Sequence, residues 1–170
     1  FEPVIEGGHL ILTYAENSEQ GTLILDDLDG GQPIDSFTAT FKLQIGPGSG
    51  NAADGFAFCF GPDINSASNF GEEGVGNGLI IAFDIYDNGA LEAPAIEVKY
   101  GGASLAIAKF AKADMVTSQF EAVSIQVTRS GTLNLSYKGQ ALFSNLVIPA
   151  YEPAAGQFAF GARTGGAAIM

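Results

Sequence analysis

The chain has 170 residues, 46 % of them hydrophobic, with a formal net charge of −12, 23 glycines and one cysteine. That length suits one domain with a sizeable core, and the hydrophobic share is too high for a disordered chain. Seven basic residues against 19 acidic ones leave no Lys/Arg cluster for phosphates, so neither nucleic acid nor an anionic membrane surface is an expected partner.

One cysteine excludes an internal disulfide, and no apolar run is long enough to cross a bilayer. Thirteen Phe and five Tyr without Trp, set among glycines, fit many short strands joined by Gly-rich turns better than helices.

Residues 9–14 and 22–25 are expected strands, with Asn17-Ser18-Glu19-Gln20-Gly21 as the turn between them. Asp26, Asp27 and Asp29 then form an acidic loop. A solvated turn and a Ca²⁺ loop would both use such a cluster, but it lacks the spacing and closing Glu of an EF-hand. Residues 36–45 alternate cleanly. Phe37, Ala39, Phe41, Leu43 and Ile45 face one way and Thr38, Thr40, Lys42 and Gln44 the other, as in a half-buried strand of an antiparallel sheet.

A loop over 46–51 leads into a second core strand at 53–60. Cys59 within it reads as a small buried hydrophobe, because the only histidine, His9, is far away in sequence. Residues 61–77 have no period and hold Asp63, Asn65, Asn69, Phe70, Glu72 and Glu73. Loops of this length in compact domains tend to be functional or disordered. Phe70 is either a stacking platform or a plug fixing the loop to the body.

Residues 79–83 are apolar and rich in β-formers, which predicts a strand buried on both faces. Asp84, Asp87 and Asn88 follow at its end, with Tyr86 between them. A buried carboxylate must be paired, hydrogen-bonded or metal-bound. Asp, Asn and a backbone carbonyl are the hard oxygen donors that Ca²⁺ prefers, while capping of a turn through side-chain hydrogen bonds is the alternative.

Residues 94–100 and 104–108 predict a hairpin across Gly101-Gly102, with Glu97 facing away from Ile96 and Val98. One or two helical turns fit 108–115. Residues 123–128 and 133–137 predict a second hairpin around Arg129-Ser130-Gly131. Segments 141–143 and 156–162 bring the count to about eleven short strands. The fold class is all-β: an antiparallel β-sandwich, with jelly-roll wiring closing its edges best.

The run Ala53-Asp54-Gly55-Phe56-Ala57-Phe58, followed by Asn77-Gly78-Leu79-Ile80-Ile81-Ala82-Phe83-Asp84-Ile85-Tyr86-Asp87-Asn88, resembles the L-type (legume-like) lectins. Pro94-Ala95-Ile96-Glu97-Val98, the hairpin over 123–137 and Phe158-Ala159-Phe160-Gly161-Ala162-Arg163-Thr164-Gly165-Gly166 match in the same order. The resemblance covers most of the chain from Ser36 onward, and the ordered set resembles the concanavalin A-like sandwich.

It implies a sugar-binding module in which Asp54 follows a cis peptide and accepts hydrogen bonds from sugar hydroxyls. Asn88 also faces the sugar, Gly76 supplies a backbone N–H, and Thr164 and Gly165 belong to the same rim. Ca²⁺ would be held by Asp84, the Tyr86 carbonyl, Asn88 and Glu92, the nearest later acid. Many legume-type members carry Glu two residues before this Asp; here it is Ala82, so a second, transition-metal site is not expected. Most members of the family also continue beyond the Thr-Gly-Gly loop, whereas this chain stops at Ala167-Ala168-Ile169-Met170. One domain over 1–170 is expected, with its last strand missing or replaced.

Hydrolysis is not expected. Glycosidases need two carboxylates about 5 Å or 6.5–9.5 Å apart. The related glucanases carry them in a Glu-x-Asp-x-x-Glu run that is absent here, and Asp84 and Asp87 would point to opposite faces of an extended strand. The expected function is calcium-assisted binding of glycans by a secreted or cell-surface protein, without membrane insertion. The alternative is a structural or adhesive sandwich of an extracellular assembly, self-associating or joining neighbouring domains through its sheet edges.

Overall fold

The computed structural model describes residues 1–46, 52–89 and 91–166. Six antiparallel strands form one sheet in the order β3 (Gln20–Ile24), β12 (Gln157–Thr164), β5 (Asp54–Gly61), β6 (Leu79–Asp84), β7 (Ala95–Tyr100) and β8 (Ala103–Lys109). Four more form the second, in the order β11 (Gln140–Val147), β10 (Thr132–Tyr137), β9 (Glu121–Val127) and β4 (Phe37–Leu43). A small hairpin of β1 (Val4–Glu6) and β2 (His9–Ile11) stands apart, and α1 (Lys112–Met115) is a single turn that buries Met115.

Period-two alternation builds the core between the sheets. Phe56, Phe58 and Phe60 of β5 and Leu79, Ile81 and Phe83 of β6 point inward. They meet Val123, Ile125 and Val127 of β9 and Leu133, Leu135 and Tyr137 of β10. β5 and β6 are buried on their other face too, because the loop over 62–78 lies on it. Ile64 and Phe70 of that loop pack on Ala57, Cys59, Ile80, Ala82 and Ala159. The small residues let the loop lie close: a Cβ on Gly161 would come within 2.4 Å of the Phe70 ring. Phe70 is 5 % exposed, so it is the plug and not a stacking platform.

The first expected hairpin does not form. β2 pairs with β1, and β3 starts at Gln20, inside the expected turn, and pairs with β12. The longer apolar β12 offers β3 a full ladder. Residue 12 instead crosses β3 so closely that a Cβ on Gly21 would lie 1.8 Å from the Leu12 carbonyl oxygen. The described residues thus hold twelve strands, one more than the pattern count. The segments at 47–51 and 167–170 lie outside the described residues.

Among the described residues β4 has one strand neighbour, β9. Its inward residues Phe37 and Phe41 are half-buried beside a cavity of about 480 Å³ that opens between β4 and the segment after β3, lined also by Leu25, Phe58, Phe158 and Phe160. Among the described residues no helix is long and apolar enough to cross a membrane.

Candidate saccharide and calcium site

Sheet register gathers the site. β12, β5 and β6 lie side by side, with Thr164 opposite Asp54 and Gly55 opposite Asp84. Asp54 and Asp84 therefore sit at the same end of neighbouring strands. The Ala53–Asp54 peptide is cis, as the family resemblance implies. The Ile85 N–H donates to the Asp54 carbonyl at 2.9 Å, which ties the loop after β6 to the start of β5.

The Asp54 carboxylate is not alone. Its Oδ2 lies 3.0 Å from Nε of Arg163 on β12. Arg163 also donates to Glu72 of the long loop, Nε to Oε2 at 3.0 Å and Nη2 to Oε1 at 2.6 Å. The Asp54 and Glu72 side chains are 10 % and 3 % exposed, and that of Arg163 is 43 % exposed. The hydrogen bond to Glu72 is the largest influence holding the guanidinium more firmly protonated than usual. Sequence reasoning missed both Arg163 and Glu72 as site residues. The signal was an arginine within the Ala162-Arg163-Thr164 run in a chain with only seven basic residues.

The loop after β6 is held by its own acids. Asp84 Oδ1 accepts the Tyr86 N–H at 2.9 Å, and Asp87 Oδ1 accepts those of Gly89 and Leu91 at 2.8 and 2.9 Å. Glu92 Oε1 accepts the Asn88 N–H at 2.6 Å. Lys109 on β8 donates to the Leu91 carbonyl at 2.6 Å and also to that of Glu92. Burial is the main cause pushing the Asp84 carboxyl up to about 6; the Tyr86 N–H opposes it, and Glu73, Glu72 and Glu92 add to it. Tyr86 is exposed, with Lys112 Nζ 5.6 Å from its ring centre, and Asn88 is exposed as well.

Turn-capping is thus realised, and the same loop offers only oxygen donors in a negative field, a chemistry that suits Ca²⁺. Among the described residues no three His, Cys, Asp or Glu groups are placed to hold a metal ion together. An ion here would rest on Asp84 and Glu92 with neutral oxygens from Tyr86 and Asn88.

One expected residue lies elsewhere, and two at the site are committed to neighbouring backbone. Gly76 lies beside Asp63, whose Oδ2 accepts the Asn77 N–H at 2.8 Å. That is the Gly61 end of β5, roughly 23 Å from Asp54 at the usual rise per residue. Seventeen residues without a period gave no way to place Gly76 along the sheet. Thr164, opposite Asp54, is 2 % exposed and its Oγ1 accepts the Glu19 N–H at 2.9 Å, so its hydroxyl is buried and anchors the start of β3. Gly165 donates to the Ala53 carbonyl at 3.3 Å and accepts from the Ser18 N–H at 3.1 Å. Away from the site, Asp27 caps its own turn through the Asp29 N–H, and His9 packs on Phe120 at a tilt of 31° with ring centres 4.5 Å apart.

No protein-family model matches the chain, and no curated protein sequence matches it significantly. Solved structures do match. The VIP36 exoplasmic/lumenal domain in its Ca²⁺/Man3GlcNAc-bound form is similar at a TM-score of 0.76 and 17 % identity, over 98 % of this chain and 78 % of that one. The Emp47p carbohydrate recognition domain is similar at 0.72 and 18 % identity, over 98 % and 82 %. The potassium-bound Emp46p carbohydrate recognition domain is similar at 0.72 and 15 % identity, over the same shares. This chain therefore has the legume-lectin β-sandwich fold of the L-type lectin carbohydrate recognition domains.

Proposed function

We propose that the protein is a carbohydrate-binding, lectin-like module assisted by Ca²⁺. The observation that carries the reading is the adjacency of Asp54 and the oxygen-rich loop after β6, joined by the Ile85 N–H bond to the Asp54 carbonyl. Asp54 and the exposed Asn88 are the saccharide contacts; Asp84, Tyr86, Asn88 and Glu92 are the Ca²⁺ ligands. The ion would fix the loop, so that Asn88 meets the sugar already oriented, which reduces the ordering cost of binding. The similar VIP36 structures include Ca²⁺/Man and Ca²⁺/Man2 forms, which supports glycans and Ca²⁺ as partners of this fold.

Binding without catalysis fits the site. Asp54 and Glu72 are both committed to Arg163, an arrangement suited to holding a ligand. A single domain in a secreted or cell-surface protein suits this reading, since the similar VIP36 domain is exoplasmic or lumenal. The test is glycan-array binding with Ca²⁺ and with a chelator. Selective binding that the chelator abolishes is expected. Absence of binding in Ca²⁺ overturns the reading in favour of a structural sandwich.

A further inference from the structure

We propose that Arg163 is a specificity-determining residue of this site, positioned by Glu72, and that together with Asp54 it selects neutral saccharides over anionic ones. This rests on the carbohydrate-binding reading above. Arg163 spends Nε and one Nη2 hydrogen on the two carboxylates. A guanidinium has five N–H donors, so beyond Nε and that Nη2 hydrogen the group, on a side chain that is 43 % exposed, has donors left for a ligand. The ion pair engages Asp54 through Oδ2, and the carboxylate is the acceptor beside the guanidinium. A donor fork next to a carboxylate oxygen matches adjacent sugar hydroxyls, each of which both donates and accepts.

The pair is held before any ligand arrives. Glu72 grips Arg163 with both oxygens, the geometry in which guanidinium and carboxylate pair best. Two glycines make the approach possible. A Cβ on Gly71 would lie 2.7 Å from Arg163 Cβ, and one on Gly55 would lie 3.1 Å from Glu72 Cβ. Charge then decides the ligand class. Two carboxylates against one guanidinium leave the trio negative by one, and Ca²⁺ on the neighbouring loop would do no more than balance Asp84 and Glu92. A carboxylated or sulfated sugar would meet that field at a guanidinium already shared by two carboxylates.

The experiment compares four proteins on an array of neutral oligosaccharides and their sialylated, sulfated and uronate counterparts. They are the wild type, Arg163→Lys, Glu72→Gln and the Glu72→Gln/Arg163→Gln double variant. The double variant removes both charges of the Glu72–Arg163 pair but takes the cation from Asp54, so its melting temperature is measured alongside. The wild type is expected to bind neutral glycans alone. Arg163→Lys and the folded double variant should lose tenfold or more in affinity. Glu72→Gln, which makes the trio neutral, should shift the anionic-to-neutral binding ratio upward at least several-fold, an outcome that a purely structural latch would not produce. Wild-type preference for anionic glycans, or undiminished binding by the double variant, overturns the inference while leaving the lectin reading intact. Absence of all glycan binding by the wild type overturns both.

Discussion

Glu72 lies directly over Gly55, so closely that a Cβ on Gly55 would sit 3.1 Å from Glu72 Cβ and 2.0 Å from the Phe83 carbonyl oxygen. The glycine of the Ala-Asp-Gly run is thus fixed by two neighbours, the β6 backbone below and the long loop above. Its φ of +154° lies at the edge of the region that side chains disfavour. Gly55→Ala should destabilise the protein by at least about 2 kcal/mol, since overpacking typically costs about 1–3 kcal/mol and here the obstacle is backbone. In a chain of this size that is a fall in melting temperature of roughly 4–8 °C. A melt within a degree of wild type would show that the close approach is not real.

The parts of this arrangement legible in the sequence are those that repeat locally. Alternation at 36–45 and 123–137 and the unbroken apolar run at 79–83 each name a strand and its inward face, because the side-chain period of a strand is set by its own backbone. Pairing is decided by distant partners. The segment at 9–14 was paired with the wrong neighbour because nothing local says that β12 is the better ladder for β3. The same holds in the site. Asp54 and Asp84 announce themselves as acids at the ends of apolar strands. Glu72 and Arg163 are 91 residues apart, and only the fold of the long loop onto β12 makes them a pair.

Calcium should stabilise the protein in a pH-dependent way. Asp84 in the folded chain is pushed up from 3.8 to about 6, chiefly by burial. A raised carboxyl binds its proton more tightly folded than unfolded, so in metal-free protein this contribution is fully present below pH 3.8. It is lost as pH rises through about 6. Ca²⁺ binding needs the ionised form and reverses that loss. At Ca²⁺ a hundredfold above its dissociation constant the gain is about 2.7 kcal/mol, or roughly 5–11 °C. The gain should be full above pH 7 and should shrink below pH 6, where protons compete. Melting curves from pH 5 to 8, with Ca²⁺ and with chelator, measure this. Asp84→Asn should abolish the Ca²⁺ effect and flatten the metal-free profile across the same window. An equal Ca²⁺ shift in the variant would remove Asp84 from the ligand set.

Lys109 should support the proposed calcium loop without touching the ion. Its ammonium donates to the carbonyls of Leu91 and Glu92, fastening the loop after β6 to the neighbouring strand β8. Lys109→Met keeps the stem and removes the donors. Because both bonds are exposed, global stability should fall by less than about 1 kcal/mol. Ca²⁺ affinity, however, should fall about 3–10-fold, because Glu92 is no longer pre-placed and its ordering opposes binding. Calorimetric Ca²⁺ titration of the two proteins checks this. Unchanged affinity with unchanged stability would mean that the loop is fixed by its internal turns alone.

Cys59 should report whether the long loop lifts. The thiol is fully buried under residues 74 and 75, and burial pushes it up to about 12. The thiolate is the reactive form, so at pH 8 the closed protein should be almost inert to a thiol reagent, and labelling must proceed through opening. Opening of the loop requires the Arg163–Glu72 fork to part and Phe70 to leave its seat over Gly161. The Glu72→Gln/Arg163→Gln variant should therefore label at least tenfold faster than wild type under native conditions, with a melting temperature lowered by only a few degrees. Phe70→Ala should label faster still, and should also lose about 3–5 kcal/mol of global stability through its cavity. If labelling rates track global stability across these variants, the loop opens only when the whole sandwich unfolds. If the double variant alone departs from that line, the ion pair is what keeps the loop seated over the site.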